Sequence, residues 1–150
     1  MLRDSFNDSL KQATLSQDKR RMGTLRLIIA GLRDRDIAAR TAGKGQLSDD
    51  EVLDLLGKMV KQRQESVRLY EEGGRKELAD QEREEIAIIQ SYMPKQLGED
   101  EMRAAVAAVL KETGAASVKD MGKVMAALKA KYAGQMDFAK ASGVVKSLLG

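Results

Sequence analysis

Apolar side chains recur every three to four residues along most of the chain, the spacing that places them on one face of an α-helix. This pattern predicts four helices before the only proline, Pro94. The apolar positions that define them are Leu2, Phe6, Leu10 and Ala13; Met22, Leu25, Ile28, Ile29 and Leu32; Val52, Leu56, Met59, Val67 and Tyr70; and Leu78, Ile86, Ile89, Tyr92 and Met93. No segment alternates with a period of two over a strand's length, so no sheet is predicted.

Capping and turn residues mark the limits of these helices. Ser48 and Glu51 form a capping-box pattern that begins the third helix, and Gly73-Gly74 ends it. The fourth helix ends before Pro94, because proline cannot continue a helix.

Three shorter helices are predicted after Pro94, over residues 99–113, 118–132 and from Asp137 onward. The sequence therefore predicts an all-α, multihelical protein with two helical subdomains. The first comprises residues 1–93 with four helices, and the second comprises residues 94–150 with three.

The composition removes most of the side-chain chemistry that enzymes use. The 150 residues contain no His and no Cys, which excludes Ser-His-Asp and Cys-His nucleophilic sites and zinc sites built from these residues. We therefore expect no catalytic residue, no cofactor and no metal. The absence of Cys and of a secretory leader predicts a cytoplasmic protein. The longest apolar run, residues 104–110, is too short to cross a membrane.

Positive charge is concentrated near the C-terminus, where residues 103–150 carry 8 basic and 3 acidic side chains. On the helix predicted over residues 118–132, Lys119 and Lys123 lie opposite the apolar face, and Lys129 and Lys131 flank them. We hypothesise that these four lysines contact RNA phosphates without base readout. An ordinary solvated helix surface would show the same pattern.

Three charged residues fall on apolar faces of consecutive helices: Arg63 on the third, and Glu82 and Glu85 on the fourth. An unpaired buried charge is costly, so Arg63 is expected to form a structural ion pair with Glu82 or Glu85. The alternative is an acid–base pair or half of a carboxylate metal site, although the known two-metal bundle pattern also requires His. Asp36 extends the apolar face of the second helix near its end and is assigned no role.

Two segments resemble a known family. Residues 71–79, followed by residues 92–97, resemble the central signature of the bacterial YqeY-like proteins. Residues 119–125 resemble the Gly-x-Val-Met motif of the same family. That motif also closes the tail of GatB, the B subunit of the tRNA-dependent amidotransferase, where the helical tail contacts the elbow of the tRNA.

The resemblance implies a two-subdomain helical protein that binds tRNA weakly or acts as an accessory module of tRNA-dependent amidation, a carbon–nitrogen ligase reaction with glutamine as the amido donor. An amidotransferase or another tRNA-handling protein would then be a partner. Residues 134–138 depart from the Gly-Lys-Ala-Asn-Pro of GatB-like tails, so any contact made through that lysine does not carry over. Two alternatives stay open: an enzyme with ligase activity of its own, and a protein–protein adaptor with no RNA role.

Overall fold

A computed structural model describes residues 1–149, which form seven α-helices, one short 3-10 turn and no strand. The helices are α1 (Leu2–Leu15), α2 (Lys19–Thr41), α3 (Asp49–Glu72), α4 (Lys76–Gln90), α5 (Glu99–Thr113), α6 (Met121–Tyr132) and α7 (Phe138–Leu149), with the 3-10 turn at Val118–Asp120. The predicted all-α class is confirmed. Within residues 1–149, no helix has the length and hydropathy needed to cross a bilayer. The chain divides into two compact units, Met1–Met93 and Pro94–Gly150.

The first unit is a hairpin of α3 and α4 against which α1 and α2 pack. Its centre consists of large apolar side chains from all four helices that are completely buried: Phe6, Leu25, Ile28, Leu56 and Ile89. The capping box that begins α3 is formed, because Glu51 N–H donates to the Ser48 hydroxyl at 3.3 Å and Glu51 Oε1 accepts from Ser48 N–H at 3.3 Å. Gly74, at φ +72°, makes the left-handed turn that reverses the chain between α3 and α4.

Tyr92 connects the end of this unit to its first two helices. Its ring lies edge-on to Phe6, with centroids 5.3 Å apart. Arg21 donates from its guanidinium to the Tyr92 hydroxyl at 3.0 Å and lies 5.6 Å from the ring centroid. These contacts hold the residues after α4 against α1 and α2.

The second unit packs α5, α6 and α7 against one another. Its buried core is built mainly from small side chains together with one leucine: Ala105, Val106, Val109, Val124, Leu128, Ala141 and Val145. Such side chains bring the helix axes close together, and Gly114, at φ +67°, ends α5 in a left-handed conformation.

One helix boundary differs from the prediction. A continuous α-helix was expected over residues 118–132, but Val118–Asp120 is a 3-10 turn and α6 begins at Met121. The reason is that the Asp120 carboxylate accepts from the N–H groups of Ala116 at 3.0 Å and Ser117 at 3.4 Å. These bonds fix a local turn before the helix begins, so Lys119 does not follow the angular spacing of α6.

Candidate nucleic-acid interface

The four lysines predicted to contact RNA all have exposed side chains in the second unit. Lys119 lies in the 3-10 turn, and Lys123, Lys129 and Lys131 lie on α6. We call these four residues the α6 lysine surface. Exposure satisfies the first requirement for contact with a phosphate.

Two lysines of this surface are already engaged. Lys131 forms an ion pair with Glu112 of α5, and the Lys123 ammonium donates to the backbone carbonyl of Thr113 at 3.2 Å. Both partners lie at the C-terminal end of α5, where the last carbonyls of the helix attract cations. Lys119 and Lys129 form no hydrogen bond or ion pair with any residue of 1–149. The surface thus contains two free ammonium groups and two that also support the packing of α6 on α5.

The carboxylates of the second unit are placed mainly at helix starts. Three acidic residues occupy the first turn of α5, where they complement the positive end of the helix dipole. Asp137 accepts from Ala139 N–H at 2.9 Å at the start of α7. At Asp120, the hydrogen bonds from Ala116 and Ser117 lower the pKa of the carboxyl. Apart from Glu112, these carboxylates face backbone N–H groups and leave the lysines of α6 without a close counter-charge.

Small residues separate the cations of the α6 lysine surface. Ala126 and Ala130 are exposed, and a Cβ placed on Gly122 would meet no atom within 4 Å. A phosphate backbone can approach a helix closely where no long side chain stands in front of it. The surface is therefore chemically suited to a polyanion.

The charged cluster predicted between the third and fourth helices forms on one side only. Arg63 donates from Nε to Glu85 Oε2 at 2.9 Å and from its guanidinium to the Met59 carbonyl at 3.2 Å. Both members of the ion pair are largely buried. Glu82 is not bonded to Arg63, and its burial, followed by the nearby negative charge of Glu85, raises the pKa of its carboxyl. This arrangement is a salt bridge with a spectator carboxylate, and it brings no nucleophile or further ligand beside Glu82.

A second largely buried ion pair was missed by the sequence reasoning. Arg3 donates two hydrogen bonds to Asp36, at 2.7 and 2.9 Å, and Asp36 also accepts from Leu47 N–H at 3.3 Å. Asp36, assigned no role above, therefore connects α1, α2 and the segment before α3. The bonds from Arg3 and Leu47 lower the pKa of this carboxyl against the opposing effect of burial. The only signal in the sequence was the position of Asp36 on an apolar face.

A family model described as Yqey-like protein matches residues 3–149 of this chain. The chain belongs to the YqeY family. The match covers both compact units, so the fold described here belongs to the family's full extent in this chain.

Several fungal proteins are similar to this YqeY-family chain. A protein of Lachancea thermotolerans named Altered inheritance of mitochondria protein 41, mitochondrial, is 31% identical over 89 residues, which is 59% of this chain and 46% of that protein. Proteins of the same name from Eremothecium gossypii and Clavispora lusitaniae are 31% and 32% identical over 88 and 92 residues. These matches cover 59% and 61% of this chain and 46% and 51% of the relatives. The chain thus spans about half the length of the curated relatives it matches.

The names of these relatives contradict the cytoplasmic location expected from the sequence, because all of them are named as mitochondrial proteins. That expectation was wrong in its reasoning as well as its outcome. It depended on the absence of cysteine, which a chain in any reducing compartment can share.

Proposed function

We propose that this YqeY-family protein is a tRNA-binding accessory module of tRNA-dependent amidation, and that the α6 lysine surface contacts the tRNA. The observation that carries the proposal is the charge arrangement of the second unit. Its carboxylates lie mostly at helix starts, while Lys119 and Lys129 are exposed and unpaired within the described chain. The link to amidation rests on the resemblance of residues 119–125 to the GatB tail motif.

The chemistry of this surface favours contact with phosphates over contact with bases. Lysine is a compact point charge that binds phosphate without a fixed geometry. Tyr132, the one aromatic residue of α6, is half-buried, so the surface offers no exposed ring for base stacking. The expected binding is weak, dependent on salt and independent of base sequence.

An accessory role fits the residues better than an independent ligase activity. Glutamine-dependent amidation requires a nucleophile that releases ammonia and a site that activates a carboxylate. A chain without His or Cys lacks the usual nucleophile–base pairs. In this proposal a partner enzyme performs the chemistry, and this protein contributes contact with the tRNA.

The proposal is tested by tRNA gel shifts at several salt concentrations. Four phosphate contacts give a slope of log affinity against log salt of roughly −3, taking ~0.7–0.9 per contact. The variant Lys119→Gln/Lys123→Gln/Lys129→Gln/Lys131→Gln should lose most of this slope. Its circular dichroism should match that of the unmodified protein, because all four side chains are exposed.

Two double variants separate the free lysines from the engaged ones. Lys119→Gln/Lys129→Gln should weaken binding more than Lys123→Gln/Lys131→Gln, since only the first pair is free of internal partners. Glu112→Gln frees Lys131 and should tighten binding by roughly two-fold. Salt-insensitive binding, or unchanged binding by the quadruple variant, would overturn the proposal. Recovery of one protein from lysate that is unaffected by RNase would favour the adaptor instead.

A further inference from the structure

Helix α2 carries seven cations, and they divide into two groups. Arg20, Arg21 and Arg35 face the rest of the first unit, and each has a partner. Arg20 pairs with Glu84 at 3.1 Å, Arg21 donates to the Tyr92 hydroxyl at 3.0 Å, and Arg35 pairs with Asp54 at 3.1 Å. The other four face solvent.

The four outward cations are Lys19, Arg26, Arg33 and Arg40, which recur at intervals of seven residues along the whole helix. We call them the α2 basic row. At 100° per residue they drift by about 20° per interval, so all four lie within about 60° of one another. Neighbouring cations are about 10.5 Å apart along the axis, and the row is about 31 Å long. No member forms a hydrogen bond or ion pair with any residue of 1–149.

The positions between these cations are mostly short. Gly23 and Ala30 are exposed beside the row, and a Cβ on Gly23 would meet nothing within 4 Å. Ile37 is the one large side chain on the same line. Asp34 is the one carboxylate of α2 near the row, since Asp36 turns inward to Arg3. A linear ligand can therefore approach the cations along the helix.

We propose that the α2 basic row binds the phosphate backbone of a nucleic-acid duplex. Three of its four members are arginine, whose planar guanidinium binds phosphate through two parallel hydrogen bonds. The row is about as long as one turn of a duplex, ~34 Å. No aromatic residue lies on the exposed side of α2, so the row lacks the stacking platform of single-strand binders.

Other anionic partners fit this surface less well. A membrane-surface helix inserts its apolar face, but the apolar face of α2 is buried in the core, with Leu25, Ile28 and Leu32. An acidic helix that paired with the row in coiled-coil fashion would need apolar contacts between its charges. Gly23 and Ala30 supply almost none.

This inference does not rest on the function proposed above, because the row belongs to the first unit and the α6 lysine surface to the second. The two surfaces can be tested with separate variants. The row would still bind a duplex if the α6 lysine surface bound nothing.

The experiment measures the affinity of the full chain for a 20-base-pair RNA duplex of arbitrary sequence. The row variant is Lys19→Gln/Arg26→Gln/Arg33→Gln/Arg40→Gln. The matched control, Lys11→Gln/Lys44→Gln/Arg75→Gln/Lys76→Gln, removes the same charge from exposed positions of the first unit outside the row. Four duplex contacts give a salt slope of roughly −3.6, at ~0.9 per contact. The row variant should lose at least ten-fold in affinity at ~0.1 M salt, and the control no more than about two-fold.

Equal affinities of row variant and control overturn the proposal, and so does an unmodified protein that fails to bind the duplex at low salt. Polyglutamate serves as the acidic-polypeptide probe, and a row that binds polyglutamate but not the duplex also overturns it. Asp34→Asn is a second, independent variant that keeps all four cations and should tighten duplex binding by about two-fold. A row variant made in the background of the α6 quadruple substitution should show the same loss, which separates this result from the tRNA test.

Discussion

The two compact units satisfy their charges in different ways. In the first unit, two largely buried ion pairs join helices to each other: Arg3 with Asp36, and Arg63 with Glu85. In the second, the ion pair found among the described residues, Lys131 with Glu112, lies at the surface. The first unit therefore uses charge to fix the arrangement of its helices. The second is held by apolar packing, which leaves most of its cations available to a ligand.

The cores differ in the same sense. The first unit buries several large side chains from different helices, including Phe6, Ile28 and Ile89. In the described part of the second unit, Leu128 is the largest side chain that is completely buried, and valine and alanine surround it. A unit with so few large side chains depends strongly on each of them.

The largest effect is therefore expected at Leu128. Leu128→Ala should lower the free energy of unfolding of the second unit by about 3 kcal/mol, from lost burial and the cavity that remains. Urea unfolding followed by circular dichroism measures the change. Leu148→Ala, at a position that is 48% exposed, is the control and should cost less than about 0.5 kcal/mol. Similar losses at both positions would show that Leu128 does not hold the second unit together.

A smaller effect is expected at the ion pair of the first unit. Asp36→Asn should destabilise the protein by about 2 kcal/mol at pH 7, because it weakens charged hydrogen bonds to Arg3 and Leu47 N–H. The lowered pKa of Asp36 means that this stability is present above the ordinary carboxyl range and is lost as pH falls through the folded-state pKa.

Unfolding measured at several pH values tests the Asp36 prediction. The difference between Asp36→Asn and the unmodified chain should be full at neutral pH and should shrink below about pH 4. A difference that stayed constant down to strongly acidic pH would show that the carboxylate charge does not matter there.

The smallest effect, with the opposite sign, is expected at Glu82. Burial and Glu85 raise the pKa of the Glu82 carboxyl, so its charged form opposes folding. The unmodified protein should lose stability as pH rises through this raised pKa. Glu82→Gln should stabilise it at pH 7 by roughly 0.5 kcal/mol, and thermal melts at pH 7 and pH 4 measure the difference. Destabilisation at pH 7 would mean that Glu82 has a bonding partner in solution.

The sequence predicted the helices well because their apolar spacing is local. The start of α6 was wrong because the hydrogen bonds of Asp120 to the preceding turn compete with helix formation there. The partner of Arg63 stayed open between Glu82 and Glu85, since these residues are about one helical turn apart on the same face. Side-chain direction decides between them, and spacing does not encode it.

Long-range partners were the part that spacing did not reveal. Asp36 and Arg3 are 33 residues apart, and their contact depends on how α1 packs on α2. The outward cations of α2 are visible in the sequence as a seven-residue repeat. They were not separable from Arg20, Arg21 and Arg35 until the structure gave each of these three a partner.

The setting of Tyr92 gives the first unit an optical signal of its own. The chain has three tyrosines and no tryptophan, so tyrosine dominates its near-ultraviolet spectrum. Only Tyr92 has an aromatic neighbour edge-on and a guanidinium close to its ring within the described residues. Asymmetric surroundings of this kind produce a near-ultraviolet circular dichroism band that disappears when the ring becomes free to rotate. Loss of that band would report the separation of α1 and α2 from the residues after α4, before any helix has melted.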